Sequence, residues 1–446
     1  MMLKMVMAAM LAMFGAVMAL GASTPIAADA PELAPRGKFS VGTSELVVTA
    51  PDQVDVLHGP GNGSAAPRGL RLLNVVLWYP AVGQRGATGQ AAYRMPAPDI
   101  AGGDLKAPAI VVFTGTATRG AVPAAGRFPI VILSHGFGNR AVMFSELGEN
   151  LASKGYIVAA IEHDDATSRA GVSRQLSFVD VVIHRSADQR FVVAELLKRA
   201  RSAKTGILAH ADPENVALAG YSMGGFGALA TAGAGYAAGS SIAARLPKGL
   251  LDPLLEGAAK PLPGIKALVL FAPWGGAPLV RMWTPAALAT IRAPTLLIDG
   301  DRDDIVDFKS GVRWIFDQMS GADRHLLIYR EARHNIAMNA APDALRYDHR
   351  YLDRYDEPVW RKDRILAVNA HFITAFLDQH LKHVPDRAAF FAPLTTASDD
   401  GDWALADGDI AGAQFAQNTG PSARYWPGFQ RRWALGLELH HLAPGQ

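Results

Sequence analysis

From Phe128 onward the sequence alternates short, unbroken apolar runs with longer stretches of helical spacing, and no other feature restricts the fold so much. Pro129-Ile130-Val131-Ile132-Leu133, Tyr156 to Ile161 and Val216 to Gly220 read as strands, with helices expected over Phe144 to Lys154 and Val181 to Arg201. Strands apolar on both faces and separated by amphipathic helices build a mostly parallel central sheet with helices on both faces. The alternation resumes with strands at Ile265 to Phe271, Thr295 to Ile298 and Leu326 to Tyr329. It ends in a helix from about Arg361 to Leu381, whose Ile365, Val368, Phe372, Phe376 and Leu381 fall on one stripe.

Two earlier segments, Phe39 to Ala50 and Leu70 to Pro80, carry β-branched and aromatic residues between Gly/Pro clusters and are expected to pair. The stretch 83–127, rich in Gly, Ala, Pro and Thr with one apolar island at Ile110-Val111-Val112-Phe113, reads as an N-terminal insertion on the sheet's edge. Residues 31–385 are thus expected to form one α/β domain. Residues 386–446 make a C-terminal extension, Gly/Asp/Ala-rich around Ser398 to Gly412 and aromatic at Tyr425, Trp426, Phe429 and Trp433, expected to wrap over that domain.

Segment 1–30 has a different character. Lys4 precedes an apolar run from Met5 to Leu20, and the small or polar residues Gly21, Ala22, Ser23 and Thr24 follow. That is the order of a secretory signal peptide, with cleavage expected between Gly21 and Ala30 and a mobile Ala/Pro-rich lead-in from Pro25 to Pro35. The run is slightly short for a bilayer span, so an exported protein, periplasmic or secreted, is expected, without a stable membrane span after cleavage. Lys+Arg (43) and Asp+Glu (41) nearly balance at a formal +2, which leaves no basic field to hold nucleic acid. The absence of cysteine removes disulfides, thiolate nucleophiles and Cys-based metal sites together. The sequence carries no signal for an oligomeric state.

Within the alternating region, Gly220-Tyr221-Ser222-Met223-Gly224 follows the apolar strand Val216-Ala217-Leu218-Ala219 directly and opens a small-residue helix. A G-x-S-x-G on a sharp strand-to-helix turn presents a serine hydroxyl at the sheet's carboxyl edge, the nucleophile elbow of an α/β-hydrolase fold. Ser222 is therefore the candidate nucleophile. A serine hydroxyl needs a base, and the base needs a carboxylate to orient it; in this fold they follow in the order Ser, acid, His.

The strand Thr295 to Ile298 runs into Asp299-Gly300-Asp301-Arg302-Asp303-Asp304-Ile305-Val306-Asp307. Asp303 best fits the spacing after the turn glycine, with Asp301 and Asp304 as alternatives; Asp299 is too close to the strand, and Asp307 starts or caps the next helix. The first half of this run mimics a calcium loop, but its sixth position is Asp304 rather than Gly and its twelfth is Ser310 rather than Glu, so no metal is expected. Among later histidines, His325 begins a strand and His371 sits within a helix, whereas His334 lies in a loop just past a strand and is the candidate base. The oxyanion hole needs one backbone N–H after the nucleophile, from Met223, and one from the loop Ser134-His135-Gly136-Phe137-Gly138, from Phe137. His135 precedes the acid and is expected to hydrogen-bond its own loop.

Phe128 to Gly136 and Leu151 to His163 resemble the platelet-activating-factor acetylhydrolase-like branch of the α/β-hydrolases, and the similarity runs from about Leu72 to Leu381. Gly220 to Gly225, Phe271-Ala272-Pro273-Trp274 and the helix ending Ala375-Phe376-Leu377 are similar to the bacterial members called predicted dienelactone hydrolases. True dienelactone hydrolases use a cysteine nucleophile, and this chain has none. The resemblance implies hydrolysis of carboxylic esters by Ser222, Asp303 and His334 with no cofactor.

The expected substrate is a small-molecule or polymeric ester. Trp274, at a strand's end, and Met282 and Trp283 beyond it are candidates for an apolar pocket wall, with core packing the alternative for each. An amidase, peptidase or thioesterase could use the same triad, and a non-catalytic binding protein on this scaffold would be expected to lack the serine or the histidine. Dehalogenase chemistry would need a carboxylate where Ser222 stands. The acids Asp399, Asp400, Asp402, Asp407 and Asp409 read as a solvated loop, and Asn62-Gly63-Ser64 as a chance glycosylation match.

Overall fold

The computed structural model describes residues 27–57, 67–83, 91–98, 109–165, 172–246, 248–393, 395–400, 426–430 and 433–446. The expected signal peptide through residue 26, Asn62-Gly63-Ser64, Asp402, Asp407, Asp409 and Tyr425 lie outside the described residues.

Strands β1 (Ser40–Val54) and β2 (Arg68–Ala81) form the expected antiparallel pair. They are followed by β3 (Ala92–Pro96), β4 (Ile110–Thr114), β5 (Thr118–Arg119), β6 (Phe128–Ser134), β7 (Ile157–Glu162) and β8 (Ala211–Tyr221). Strands β9 (Ile265–Phe271), β10 (Thr295–Gly300), β11 (Arg324–Tyr329) and β12 (Leu437–Leu442) complete the set. The ten-stranded sheet has the order β12-β11-β10-β9-β8-β6-β7-β2-β1-β5. From β7 to β11 all neighbours are parallel, while β12 and β2 join this block antiparallel from its two sides. Every residue of β6, β10 and β11 is buried, the pattern of strands covered on both faces.

The helices are α1 (Ser145–Ser153), α2 (Arg174–Ser202), α3 (Met223–Thr231), α4 (Pro285–Leu288), α5 (Arg313–Gln318), α6 (His349–Tyr355) and α7 (Lys362–Leu381). The chain steps from β6 to β7 in one direction and from β7 past β6 to β8 in the other, so right-handed crossovers put α1 and α2 on opposite faces. Accordingly α1 packs with α7 on one face and α2 with α3 on the other. Helix α2 starts earlier than its apolar periodicity, because the Ser173 hydroxyl caps it by accepting from Leu176 N–H at 3.1 Å.

Within 83–127, β3 and β4 form a separate hairpin. It is tied to the main sheet and α1 through Tyr93, whose hydroxyl accepts from Trp78 Nε1 (2.8 Å) and donates to Glu149 (2.7 Å). From residue 386 on, β12 pairs along β11, and Trp426 and Phe429 pack against Phe372 of α7.

The lead-in differs from the mobile segment expected. From Ala27 it is docked: Glu32 N–H donates to Gly428 O (2.8 Å), Leu33 N–H to His371 Nδ1 (3.1 Å), and Asp29 pairs with Arg361 (3.0 Å). The Leu33 carbonyl accepts from Lys154 Nζ just past α1 (2.5 Å) and the Ala34 carbonyl from Asn150 Nδ2 of α1 (2.9 Å), and those distant contacts outweigh the local Ala/Pro composition. Among the described residues no helix is long and apolar enough to cross a membrane.

Candidate active site

Ser222 stands between β8 and α3 with φ 53° and ψ −113°, a conformation costly for a residue with a side chain. Three backbone hydrogen bonds hold it there: its N–H to Phe271 O (2.9 Å), and its carbonyl from Phe226 N–H (3.0 Å) and Trp274 N–H (3.1 Å). The flanking glycines have a steric reason. A Cβ on Gly220 would collide with the Gly224 backbone, and one on Gly224 with the Ser134 carbonyl, so only glycine lets β8, α3 and the end of β6 approach this closely.

The candidate acid and base come from the ends of the adjacent strands β10 and β11. Asp301 N–H donates to Tyr329 O (3.1 Å), Arg302 N–H to Ala332 O (2.9 Å) and Glu331 N–H to Asp301 Oδ1 (2.6 Å), zipping the two turns together. Asp303, 4% exposed, then meets His334 Nδ1 through Oδ2 at 2.5 Å. Its Oδ1 accepts from the N–H groups of Ile305 (2.8 Å) and Val306 (3.1 Å). Burial alone would raise this carboxyl, but the His334 ring and the hydrogen bonds outweigh it and hold Asp303 below the ordinary range.

The neighbouring acids are otherwise engaged. Asp304 pairs with Arg333 (3.0 Å), and Asp307 accepts from Ser310 N–H (2.9 Å) at the start of the next helical turn. Asp299 is fully buried, and burial and the Asp303 charge push its carboxyl well above the usual range. The His334 ring lies 5.0 Å from the Tyr221 ring, and its carbonyl accepts from Tyr221 O–H (3.2 Å), which sets the imidazole beside the residue preceding Ser222.

The N–H groups of Phe137 and Met223 have no acceptor among the described residues. The loop carrying Phe137 is held from beneath by the end of β7 and the three residues after it. Glu162 accepts from Ala141 N–H (2.8 Å), His163 N–H donates to His135 Nε2 (3.1 Å), and Asp165 accepts from Gly138 N–H (2.8 Å). Ser134 Oγ meets His163 Nε2 (2.8 Å), and His163 Nδ1 meets Asp188 (2.9 Å), which Arg71 neutralises at 2.8 Å. Burial pushes the His163 imidazole down to about 3, so it is neutral and can accept from Ser134 at ordinary pH. His135 bonds within its loop, its Nδ1 meeting Gly136 O at 2.7 Å.

Trp274 is half-buried beside the elbow, and Phe178 of α2 stands edge-on to it (5.3 Å) and to Phe137 (5.8 Å). These three rings from three elements form a half-buried aromatic wall. Trp283 lies behind it with Phe226 between; it is 2% exposed, and its indole N–H donates to Ala234 O (3.2 Å). Met282 is fully buried as well. A cavity of about 650 Å³ bounded by Phe113, Glu146, Asn150, Ala341 and Ala370 includes none of these site residues. Sequence reasoning missed Phe178, Asp165 and Glu357, the last of which grips the His334 loop. Glu162-His163-Asp164-Asp165 at a strand's end was a usable signal for the loop support. Glu357 lies in a charged stretch with no periodicity, which offered none.

The model of the family "Platelet-activating factor acetylhydrolase, isoform II" matches residues 111–204, which hold Phe137 and its supports but not Ser222, Asp303 or His334. Platelet-activating factor acetylhydrolases are similar over short segments. The one from Canis lupus familiaris is 46% identical over 44 residues, 10% of this chain and 10% of the relative. The one from Bos taurus is 45% identical over 42 residues, 9% of this chain and 10% of the relative. A solved structure of ferulic acid esterase from Streptomyces cinnamoneus superposes with a TM-score of 0.51 at 22% identity, covering 78% of this chain and 92% of that one. That likeness is one of fold. The sheet order and this superposition give the chain the α/β-hydrolase fold, and its residues 111–204 are similar to the platelet-activating factor acetylhydrolase family.

Proposed function

We propose that the protein is a serine esterase that cleaves carboxylic esters through an acyl-enzyme. His334 takes the Ser222 proton as the hydroxyl attacks the ester carbonyl, and Asp303 holds Nδ1 and balances the imidazolium that forms. The N–H groups of Phe137 and Met223 stabilise the oxyanion. His334 then returns the proton to the departing alcohol, and water repeats the sequence to free the acid. The scheme needs no metal or organic cofactor. Catalytic hydrogen bonds often tighten only in the substrate complex, and the proposal places the close approach of Ser222 Oγ to His334 there. The observation that carries this reading is the 2.5 Å contact between Asp303 and His334 beside a strained serine elbow.

The aromatic wall of Phe137, Phe178 and Trp274 supports an apolar or flat acyl group as the preferred acid portion, in keeping with the name of the ferulic acid esterase of similar fold. Trp274→Ala should change acyl-chain preference across a panel of p-nitrophenyl esters by at least about tenfold with little change in thermal midpoint. A lowered midpoint with unchanged preference would assign Trp274 to packing alone. The charged-then-apolar order of residues 4–20 supports export to the periplasm or the medium. In the principal test, Ser222→Ala should lower kcat on a p-nitrophenyl ester by about 10⁴-fold or more. Retained activity would end the proposal.

A further inference from the structure

Asp303 orients the imidazole of His334 but not the loop that carries it. The amides on either side of His334 converge on one carboxylate: Arg333 N–H donates to Glu357 Oε2 (2.6 Å) and Asn335 N–H to Glu357 Oε1 (2.7 Å). Glu357 is 7% exposed and sits just beyond α6. The same segment supplies further holds. Lys362 Nζ, also buried, donates to Asn335 O (2.5 Å), and the Asn335 side chain donates to Asp353 O (2.7 Å). Arg354 of α6 reaches the other half of the site, donating to Gly138 O (3.0 Å) in the loop that carries Phe137.

We propose that Glu357 is a positioning residue for the base, a two-pronged acceptor that fixes the backbone at Arg333 and Asn335 and thereby the reach of the His334 ring toward Ser222. This rests on the reading of His334 as the base. A carboxylate has an acceptor oxygen for each amide, and each such hydrogen bond is charge-assisted. Glutamine keeps one acceptor and turns an NH₂ donor against the second N–H, so Glu357→Gln frees one side of the loop without removing volume. Burial lifts the Glu357 carboxyl above its ordinary value, and the two amides and the charges of Lys362 and Arg333 offset only part of that rise. The loop has reason to need such a hold, because Glu331 stands at φ 63° just upstream and a side-chain-bearing residue in that region stores strain.

Displacing a base by a fraction of an ångström slows the proton transfer and leaves ground-state binding intact. Glu357→Gln should therefore lower kcat on a p-nitrophenyl ester about 10- to 100-fold while KM stays within about twofold, in an assay well beneath the thermal midpoint. Glu357→Asp, which keeps the charge but shortens the reach, should lose at least about fivefold in kcat with KM again held, and it decides the matter if the glutamine variant does not fold. Wild-type kcat in either folded variant, or an equal rise in KM that leaves kcat unchanged, overturns the proposal. His334→Ala is measured alongside: if it retains wild-type kcat, the base assignment itself fails, whereas an inactive His334→Ala beside a fully active Glu357→Gln condemns only the positioning role.

Discussion

Asp303 shares its turn with Asp299, Asp301, Asp304 and Asp307, and what separates the five is the company each keeps. Only Asp303 meets His334; Asp301 accepts a backbone N–H from Glu331, and Asp304 answers Arg333 at the surface. Asp303→Asn should therefore lower kcat by about 10³- to 10⁴-fold, since an amide holds the wrong imidazole tautomer, while Asp301→Asn and Asp304→Asn stay within about tenfold of wild type. A larger loss in Asp301→Asn than in Asp303→Asn, measured as kcat on the same ester, would move the acid to position 301. The elbow was legible because its five residues and the strand before them are contiguous. The candidate acid was legible only down to a short cluster, since spacing says where a carboxylate sits but not whether its oxygens are already taken. Trp283 shows the same limit: a tryptophan near a strand's end can face the pocket or the core, and the Ala234 carbonyl that accepts its N–H lies 49 positions away.

At the scale of elements, the end of β7 is the scaffold of the loop that carries Phe137, the proposed oxyanion donor. Glu162, His163 and Asp165 each hold a different point of the loop from Ser134 to Ala141, and Asp165 is in turn pinned by Arg185 of α2 at 2.8 Å, both side chains being nearly inaccessible. Removing one member of a buried pair leaves the other charge uncompensated, so Asp165→Asn should destabilise folding by about 3–5 kcal/mol in urea denaturation. Adding Arg185→Met should recover part of that loss. A single-variant loss below about 1 kcal/mol would show that water, not Arg185, carries the pair. The sheet's parallel block and its crossover helices were readable from the period of apolar residues. The segment of α6 and Glu357 was not, because its work is done by backbone-directed carboxylates and a buried lysine, which leave no hydrophobic period in the sequence.

Across the whole molecule, burial pushes His163, His325 and His371 down to about 3. A histidine whose folded value is lowered binds its proton more readily in the unfolded chain. It therefore costs stability as pH falls below its unfolded value of 6.5 toward about 3, at about 1.4 kcal/mol per pH unit for each. The thermal midpoint should drop steadily between pH 6.5 and 4, and His371→Gln should flatten that slope; a midpoint unchanged over this range would contradict the burial of these rings. His371 also accepts from Leu33 N–H, which joins α7 to the docked lead-in, while Trp426 and Phe429 seal the same helix from the C-terminal side. Composition marked the lead-in as mobile and the C-terminal segment as wrapped over the domain, and neither contact has a local signature, since the partners lie far apart in the chain. The central claim is that Ser222 is a nucleophile activated by His334. Labelling the intact protein with a fluorophosphonate and locating the adduct by peptide mass spectrometry tests it most directly. The account predicts an adduct on Ser222, absent in Ser222→Ala and strongly slowed in His334→Ala; an adduct on another residue, or ester hydrolysis without any adduct, would contradict it.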